Sequence, residues 1–234
     1  MNKLAIVTGS AKGIGKELII ELSKKNYDVV ITYNTSKEKA YELQKYVVDN
    51  YNVNASVIKC DLTKEEDIIN LKNNVLEKYN RIDLLINNAA YSQDNYIDNK
   101  TKEEFLKVLE VNVVGTFLIT KYLYKYMDNG IIVNISSTDS IDTYNDISID
   151  YSASKAAINN LTKTFSLAFP NIKVIGVMPN WTNTESIKEM NQDYLKSELI
   201  RIGQEKLEEP DIVAKNIIQL IEDKTVISGE IRRV

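Results

Sequence analysis

Apolar runs separated by longer amphipathic runs are the strongest constraint on how this chain can fold. The apolar runs are Lys3–Thr8, Asp28–Tyr33, Ala55–Cys60, Ile82–Asn87, Gly130–Ser136, Lys173–Met178 and Val226–Ile231. Between them lie Ile14–Lys25, Ser36–Asn50, Lys64–Tyr79, Lys102–Met127, Tyr151–Ala168, Thr184–Gly203 and Asp211–Glu222, which read as helices. Strands that are apolar without alternation suit a parallel sheet covered on both faces. Alternating β and α elements imply right-handed crossovers and a doubly wound α/β sheet. No linker, repeat or low-complexity tract interrupts the pattern, so residues 1–234 read as one domain. Thr63 reads as a helix N-cap, with Glu66 as its capping-box partner.

Composition narrows the function. The net charge is −4, with no basic footprint for nucleic acid. No apolar run reaches the ~18 residues of a membrane helix. The start, Met1-Asn2-Lys3, leads straight into a strand and reads as lacking a signal peptide. A single cysteine, Cys60, excludes an internal disulfide and fits a cytoplasmic protein. The chain holds no histidine, so a Cys/His metal centre is excluded and any acid–base chemistry falls to other side chains.

Three of the 8 glycines sit in Thr8-Gly9-Ser10-Ala11-Lys12-Gly13-Ile14-Gly15, between the first strand and the first helix. Glycine lets backbone approach a ligand closely. The following helix N-terminus favours an anion such as pyrophosphate. The spacing G-x-x-x-G-x-G is a relative of the dinucleotide fingerprint. A carboxylate at the end of the second strand would accept the ribose 2′-hydroxyl of NAD. Here that strand ends Thr32-Tyr33-Asn34-Thr35-Ser36, and the nearest acid, Asp28, sits at its other end. Lys12 and Asn34 can instead donate to a 2′-phosphate, so NADP(H) is favoured and NAD(H) remains open. Asp61 and Leu62, after the third strand, are candidates for the adenine; Asn88 and Ala89, after the fourth, permit close packing beside a cofactor.

Tyr151-Ser152-Ala153-Ser154-Lys155 puts a phenol and an ammonium four residues apart, on one face of a helix. A neighbouring ammonium stabilises phenolate and lowers the tyrosine pKa, which makes tyrosine usable as an acid or base. Upstream, the strand Ile131–Ile135 ends in Ser136-Ser137, whose hydroxyls can donate to a carbonyl oxygen. Asn112 interrupts the apolar pattern of a long helix and can hold a kink or a water that passes protons to Lys155.

These motifs together resemble those of the short-chain dehydrogenase/reductase family along essentially the whole chain. Thr8–Gly15 matches T-G-x-x-x-G-x-G; Asn87–Ala90 resembles N-N-A-G, with Ala90 for the last glycine; Asn112, Ser137, Tyr151 and Lys155 fall on the Asn-Ser-Tyr-Lys tetrad. Pro179-Asn180-Trp181-Thr182-Asn183-Thr184 resembles the segment that binds nicotinamide, where Thr182 uses its backbone and Thr184 supplies a hydroxyl. The resemblance implies a three-layer Rossmann-type fold with the cofactor on Gly9, Ser10, Lys12, Gly13, Ile14, Gly15, Asn34, Asp61, Leu62, Asn88, Ala89, Pro179, Thr182 and Thr184. It implies an oxidoreductase in which Tyr151 donates a proton to a carbonyl and Ser137 orients it. Lys155 would lower the Tyr151 pKa and bind the nicotinamide ribose, with Asn112 supporting a proton relay. It also implies a homodimer or homotetramer built on the long helices and a small-molecule carbonyl or alcohol substrate.

Thr32-Tyr33 followed by Ser36-Lys37-Glu38-Lys39-Ala40 is typical of 3-oxoacyl-acyl-carrier-protein reductases within that family. Against that substrate stand Asp139, Asp142, Asp146 and Asp150, which read as an acidic rim that repels an acidic carrier protein. The same motifs are compatible with an NAD-linked dehydrogenase and with a catalytically silent cofactor-binding regulator.

Overall fold

The computed structural model describes residues 2–234. Seven parallel strands form one sheet: β1 Lys3–Val7, β2 Tyr27–Tyr33, β3 Ala55–Lys59, β4 Leu84–Asn87, β5 Ile131–Ile135, β6 Lys173–Met178 and β7 Ile231–Arg233. Their order is β3-β2-β1-β4-β5-β6-β7. The order reverses between β1 and β4, and a crevice opens there at the carboxyl ends of the strands.

Both faces of the sheet are covered, as continuous apolar runs require. Ala5 and Val7 point into a core shared with Leu18, Val213 and Ile217 of helices α1 (Gly13–Lys24) and α9 (Pro210–Glu222). Leu4 and Ile6 point the other way, into a core with Leu71 of α3 (Glu65–Leu76) and Ile119 of α5 (Thr116–Leu123). Helix α2 (Lys37–Asn50) joins the first layer, and α6 (Ile149–Ala168) joins the second through Phe165.

Four expectations change. The long helix Lys102–Met127 is broken: α4 spans Lys102–Leu109, a π-helical turn occupies Glu110–Gly115, α5 follows, and Tyr124–Tyr126 closes it in a 3₁₀ turn. The helix at Thr184–Gly203 is two, α7 (Glu185–Lys188) and α8 (Gln192–Ile202), the latter ended by Gly203 at φ 71°. The last strand is Ile231–Arg233 rather than Val226–Ile231, because Gly229 takes φ 90° and turns the chain just before it. The capping box lies at Thr101 and Glu104 of α4, not at Thr63 and Glu66; Thr63 instead donates its hydroxyl to Asp61 Oδ1 at 2.8 Å.

Leu106, Val114 and Phe117 are exposed along α4, the π-helical turn and α5, and Leu167 on α6 is 84% exposed. No helix among the described residues is long and apolar enough to cross a membrane.

Candidate active site

The crevice between β1 and β4 opens into a cleft of about 640 Å³ that runs from the glycine turn to α6. At its floor the backbone is packed against itself. A Cβ on Gly9 (φ 61°) would lie 2.9 Å from Ala89 Cα; one on Gly15 would lie 2.6 Å from Asn88 Nδ2 and 2.8 Å from the Gly9 carbonyl oxygen. Only glycine leaves this cradle open. Gly13 begins α1, so the unpaired N–H groups of the helix face the same space. The cradle therefore fits a pyrophosphate.

Side chains brace the cradle from behind. Thr8 Oγ1 accepts from the N–H groups of Asn88 and Ala89, both at 3.0 Å, and Asn88 Nδ2 donates to the Thr8 carbonyl oxygen at 2.9 Å. Ser10 is fully buried: its hydroxyl donates to the Val7 carbonyl oxygen at 2.8 Å and accepts from the Thr32 N–H at 3.1 Å. Its side chain thus ties β1 to β2 and does not line the cleft, unlike the other members of the turn predicted to hold the cofactor.

The end of β2 meets the cleft through Thr32, Tyr33, Asn34, Thr35 and Ser36, with no carboxylate among them. Asp28 is at the far end of the strand, accepting from Asn2 Nδ2 at 3.0 Å and from the Asn54 N–H at 2.9 Å. Lys12 lines this end and makes no ion pair among the described residues. Lys39 of α2 and Glu185 of α7 pair at 3.1 Å near it. Asp61 and Leu62 line the cleft beside Cys60, whose thiol burial pushes up to about 12, which keeps it protonated. Pro179, Thr182 and Thr184 line it from the loop after β6.

Ser137 follows β5, Tyr151 and Lys155 lie on the first turns of α6, and all three line the same cleft. Lys155 Nζ donates to the Ile135 carbonyl oxygen at 2.7 Å and stands 5.3 Å from the centre of the Tyr151 ring. Burial lowers the Lys155 ammonium to about 8, with Asp139 pulling it the other way. The expected lowering of the Tyr151 pKa is not seen. Burial first and the Asp139 carboxylate second raise it, and the Ser137 hydroxyl beside it acts in the opposite sense. Tyr151 is therefore held as the neutral phenol, the form that donates a proton.

Asn112 does not reach the cleft. It is 2% exposed; its Oδ1 accepts from the Tyr91 N–H at 2.7 Å, and Nδ2 donates to the Tyr91 carbonyl oxygen at 2.9 Å and to Ser154 Oγ at 2.9 Å. Ser154 Oγ donates in turn to the Tyr151 carbonyl oxygen at 2.7 Å. Asn112 thus clamps the loop after β4 to the helix that carries Tyr151 and Lys155.

The four aspartates do not form a continuous rim. Asp150 is buried against Lys100 at 2.9 Å, Asp142 pairs with Arg233, and Asp146 accepts from the Tyr194 hydroxyl at 2.9 Å. Asp139, 5% exposed, lines the cleft. Lys107, Asp94, Ser148 and Trp181 also line it, although their types and spacing in the sequence do not assign them there. Asp94 and Trp181 follow the carboxyl ends of β4 and β6, the position that could have flagged them; Lys107 sits on a helix and carries no such signal.

A doubly wound sheet with a glycine cradle at its switch point defines a dinucleotide-binding class of protein. Residues 3–195 match the family model for short chain dehydrogenases, and the chain belongs to that family of oxidoreductases. It is similar to a 3-oxoacyl-acyl-carrier-protein reductase of Thermotoga maritima, 32% identical over 98% of this chain and 94% of that protein. It is also similar to glucose 1-dehydrogenase 2 of Bacillus subtilis, 30% identical over 97% of this chain and 91% of that one. Among solved structures, a dehydrogenase/reductase of Sinorhizobium meliloti superposes with TM-score 0.92 at 25% identity, over 99% of this chain and 93% of that one. A short chain dehydrogenase of Burkholderia cenocepacia, solved in complex with NADP, gives 0.90 at 25% identity, over 99% and 96%.

Proposed function

We propose that this chain interconverts a carbonyl and a secondary alcohol with NADP(H), with Tyr151 as the general acid and base. The observation that carries the reading is the continuity of one cleft from the glycine cradle to Ser137, Tyr151 and Lys155. A bound nicotinamide dinucleotide supplies or accepts the hydride. The chain holds and orients it: Gly9, Gly13, Ile14 and Gly15 around the pyrophosphate, Asp61 and Leu62 at the adenine, Asn88 and Ala89 along the crevice, and Pro179, Thr182 and Thr184 at the nicotinamide. Ser10 contributes by bracing the turn. Ser137 donates to the carbonyl oxygen, Tyr151 delivers the proton, and Lys155 binds the ribose and holds positive charge beside the phenol. Asn112 is a positioning residue for α6. NADPH oxidation followed by its absorbance, against a panel of carbonyl compounds, tests the reading; no turnover of any of them sinks it.

Lys12, unpaired beside a strand end that lacks a carboxylate, supports the phosphorylated cofactor. Lys12→Ala is expected to weaken NADPH binding about tenfold, the worth of one hydrogen bond to a charged group, and to leave NADH binding unchanged. Equal losses for both cofactors in a fluorescence titration would contradict this. Assembly through the exposed faces of α4, α5 and α6 is supported by Leu106, Val114, Phe117 and Leu167.

The pH profile carries a sign. Lys155 is charged below about 8 and neutral above it. Loss of the charge weakens the hydrogen bond to the cofactor ribose, so kcat/KM for NADPH is expected to be level at lower pH and to fall as pH rises through about 8. This parameter reports groups of the free enzyme. Lys155→Arg keeps its charge throughout and is expected to remove that limb, whatever its overall rate. A wild-type profile that rises through the same range refutes the assignment.

A further inference from the structure

The two halves of the cleft differ in charge. Lys12 and Lys107 balance Asp61 and Glu185 in the half beside the glycine cradle. Around Ser137 and Tyr151 the charged liners are two carboxyl groups, Asp94 and Asp139, and one ammonium, Lys155, which also bonds the Ile135 carbonyl. Arg201, a further cation acting on Asp139, is held by Glu198 at 2.7 Å and does not line the cleft.

Asp139 is set into this half by the residue that precedes it by two. Its N–H donates to Ser137 Oγ at 3.1 Å within the 3₁₀ turn Thr138–Ser140. Thr143 Oγ1 donates to its Oδ1 at 2.5 Å, and Trp181 Nε1 donates to the same oxygen at 3.4 Å. Oδ2 accepts no hydrogen bond among the described residues. The residue is only 5% exposed, yet it faces the cleft. This carboxylate oxygen keeps access to the cleft and is free to accept from a ligand donor there. Ser148, also 5% exposed and lining the cleft, has a hydroxyl without a partner among the described residues. An incoming carboxylate or phosphate would instead meet like charge from Asp139 and Asp94.

We infer that Asp139 is a specificity-determining residue whose Oδ2 accepts a hydrogen bond from a substrate hydroxyl, so that this cleft selects hydroxylated carbonyl compounds over unsubstituted or anionic ones. The inference rests on the reading that Ser137 and Tyr151 act on a carbonyl, since Asp139 is placed relative to that pair.

The test compares hydroxyacetone with butanone, in which a methyl group replaces the hydroxyl, and with acetoacetate and an acetoacetyl thioester. With NADPH and the wild-type enzyme, kcat/KM for hydroxyacetone is expected to exceed that for butanone roughly 10–100-fold, the range for one hydrogen bond to a charged group. In Asp139→Ala the ratio falls to near one. In Asp139→Asn, which keeps an acceptor for Thr143 and Trp181, it falls to an intermediate value. A purely structural role for Asp139 would lower both substrates together and leave the ratio where it was. Trp181 is the only tryptophan in the chain and touches Asp139, so its fluorescence gives a readout independent of turnover. Hydroxyacetone is expected to perturb its emission at concentrations where butanone does not, and the difference disappears in Asp139→Ala. A wild-type enzyme that reduces butanone, acetoacetate or the thioester as well as hydroxyacetone overturns the inference, as does a ratio unchanged by both substitutions. If none of the four is reduced but Trp181 still distinguishes the two ketones through Asp139, the carbonyl-reductase reading fails and the hydroxyl site stands. If neither signal is seen, both fall.

Discussion

Tyr151→Phe is expected to lose roughly 10²–10⁴-fold in kcat, the usual worth of a positioned general acid, with little change in NADPH affinity. The ring is the same size, so the cation–π contact with Lys155 at 5.3 Å is preserved. What disappears is the hydroxyl beside Ser137. Burial and Asp139 both hold that hydroxyl in its neutral form, so it carries the proton to be delivered. A rapid-mixing measurement of hydride transfer would register the loss at the chemical step itself. If Tyr151→Phe kept more than about a tenth of the wild-type rate, Tyr151 could not be the general acid. If it lost both rate and cofactor affinity, the substitution would be acting on the shape of the cleft.

Lys100→Met is expected to destabilise the fold by about 3–5 kcal/mol, the cost of leaving a buried charge without its partner. The pair is the most enclosed ion pair among the described residues. Lys100 and Asp150 side chains are 4% and 0% exposed, and their atoms lie 2.9 Å apart. Asp150 also accepts from the Tyr151 N–H at 2.9 Å in the first turn of α6, where a negative charge suits the helix end. At this chain length the expected fall in Tm is about 10 °C. Lys215→Met, which breaks an exposed pair at 2.8 Å between groups nearly half exposed, is expected to leave Tm within about 2 °C of wild type. The double variant Lys100→Met, Asp150→Leu should recover part of the loss, because the orphaned charge is gone. A Lys100→Met protein that melts within about 2 °C of wild type would refute the account.

The central strands were legible because they are buried on both faces, whereas β7, with Arg232 and Arg233 exposed, was misplaced. Val29, Val30 and Ile31 need no alternation to mark β2, since there is no wet side to alternate with. The break in the long helix was only half legible. Asn112 looked out of place in an apolar stripe, but its partners Tyr91 and Ser154 lie 21 and 42 residues away, and nothing local names them. Ser10 shows the same limit. Its place in the glycine turn suggested a ligand contact, whereas Val7 and Thr32 occupy its hydroxyl. The cluster of aspartates misled for a different reason. Proximity in sequence suggested one shared surface, while the chain turns each carboxylate toward a different neighbour: Lys100, Arg233, Tyr194 and the cleft. Where a polar side chain's partner is distant in sequence, type and spacing cannot assign it to a site or to the scaffold.

The π-helical turn at Glu110–Gly115 makes chain length itself a determinant of the cleft. Such a turn holds one residue more than an α-helix would. Deleting Val113 would let the segment rewind as regular helix while α5 keeps its phase against the sheet. Ile119 and Leu123, now fully buried, would stay so, and the change would fall inside the turn. Asn112 holds Tyr91 and Ser154 from that turn, and Gly115 there meets Leu62, where a Cβ would come within 2.7 Å of the side chain. The extra residue therefore sets how Asn112 and Gly115 are aimed, between two helices whose own packing is indifferent to it.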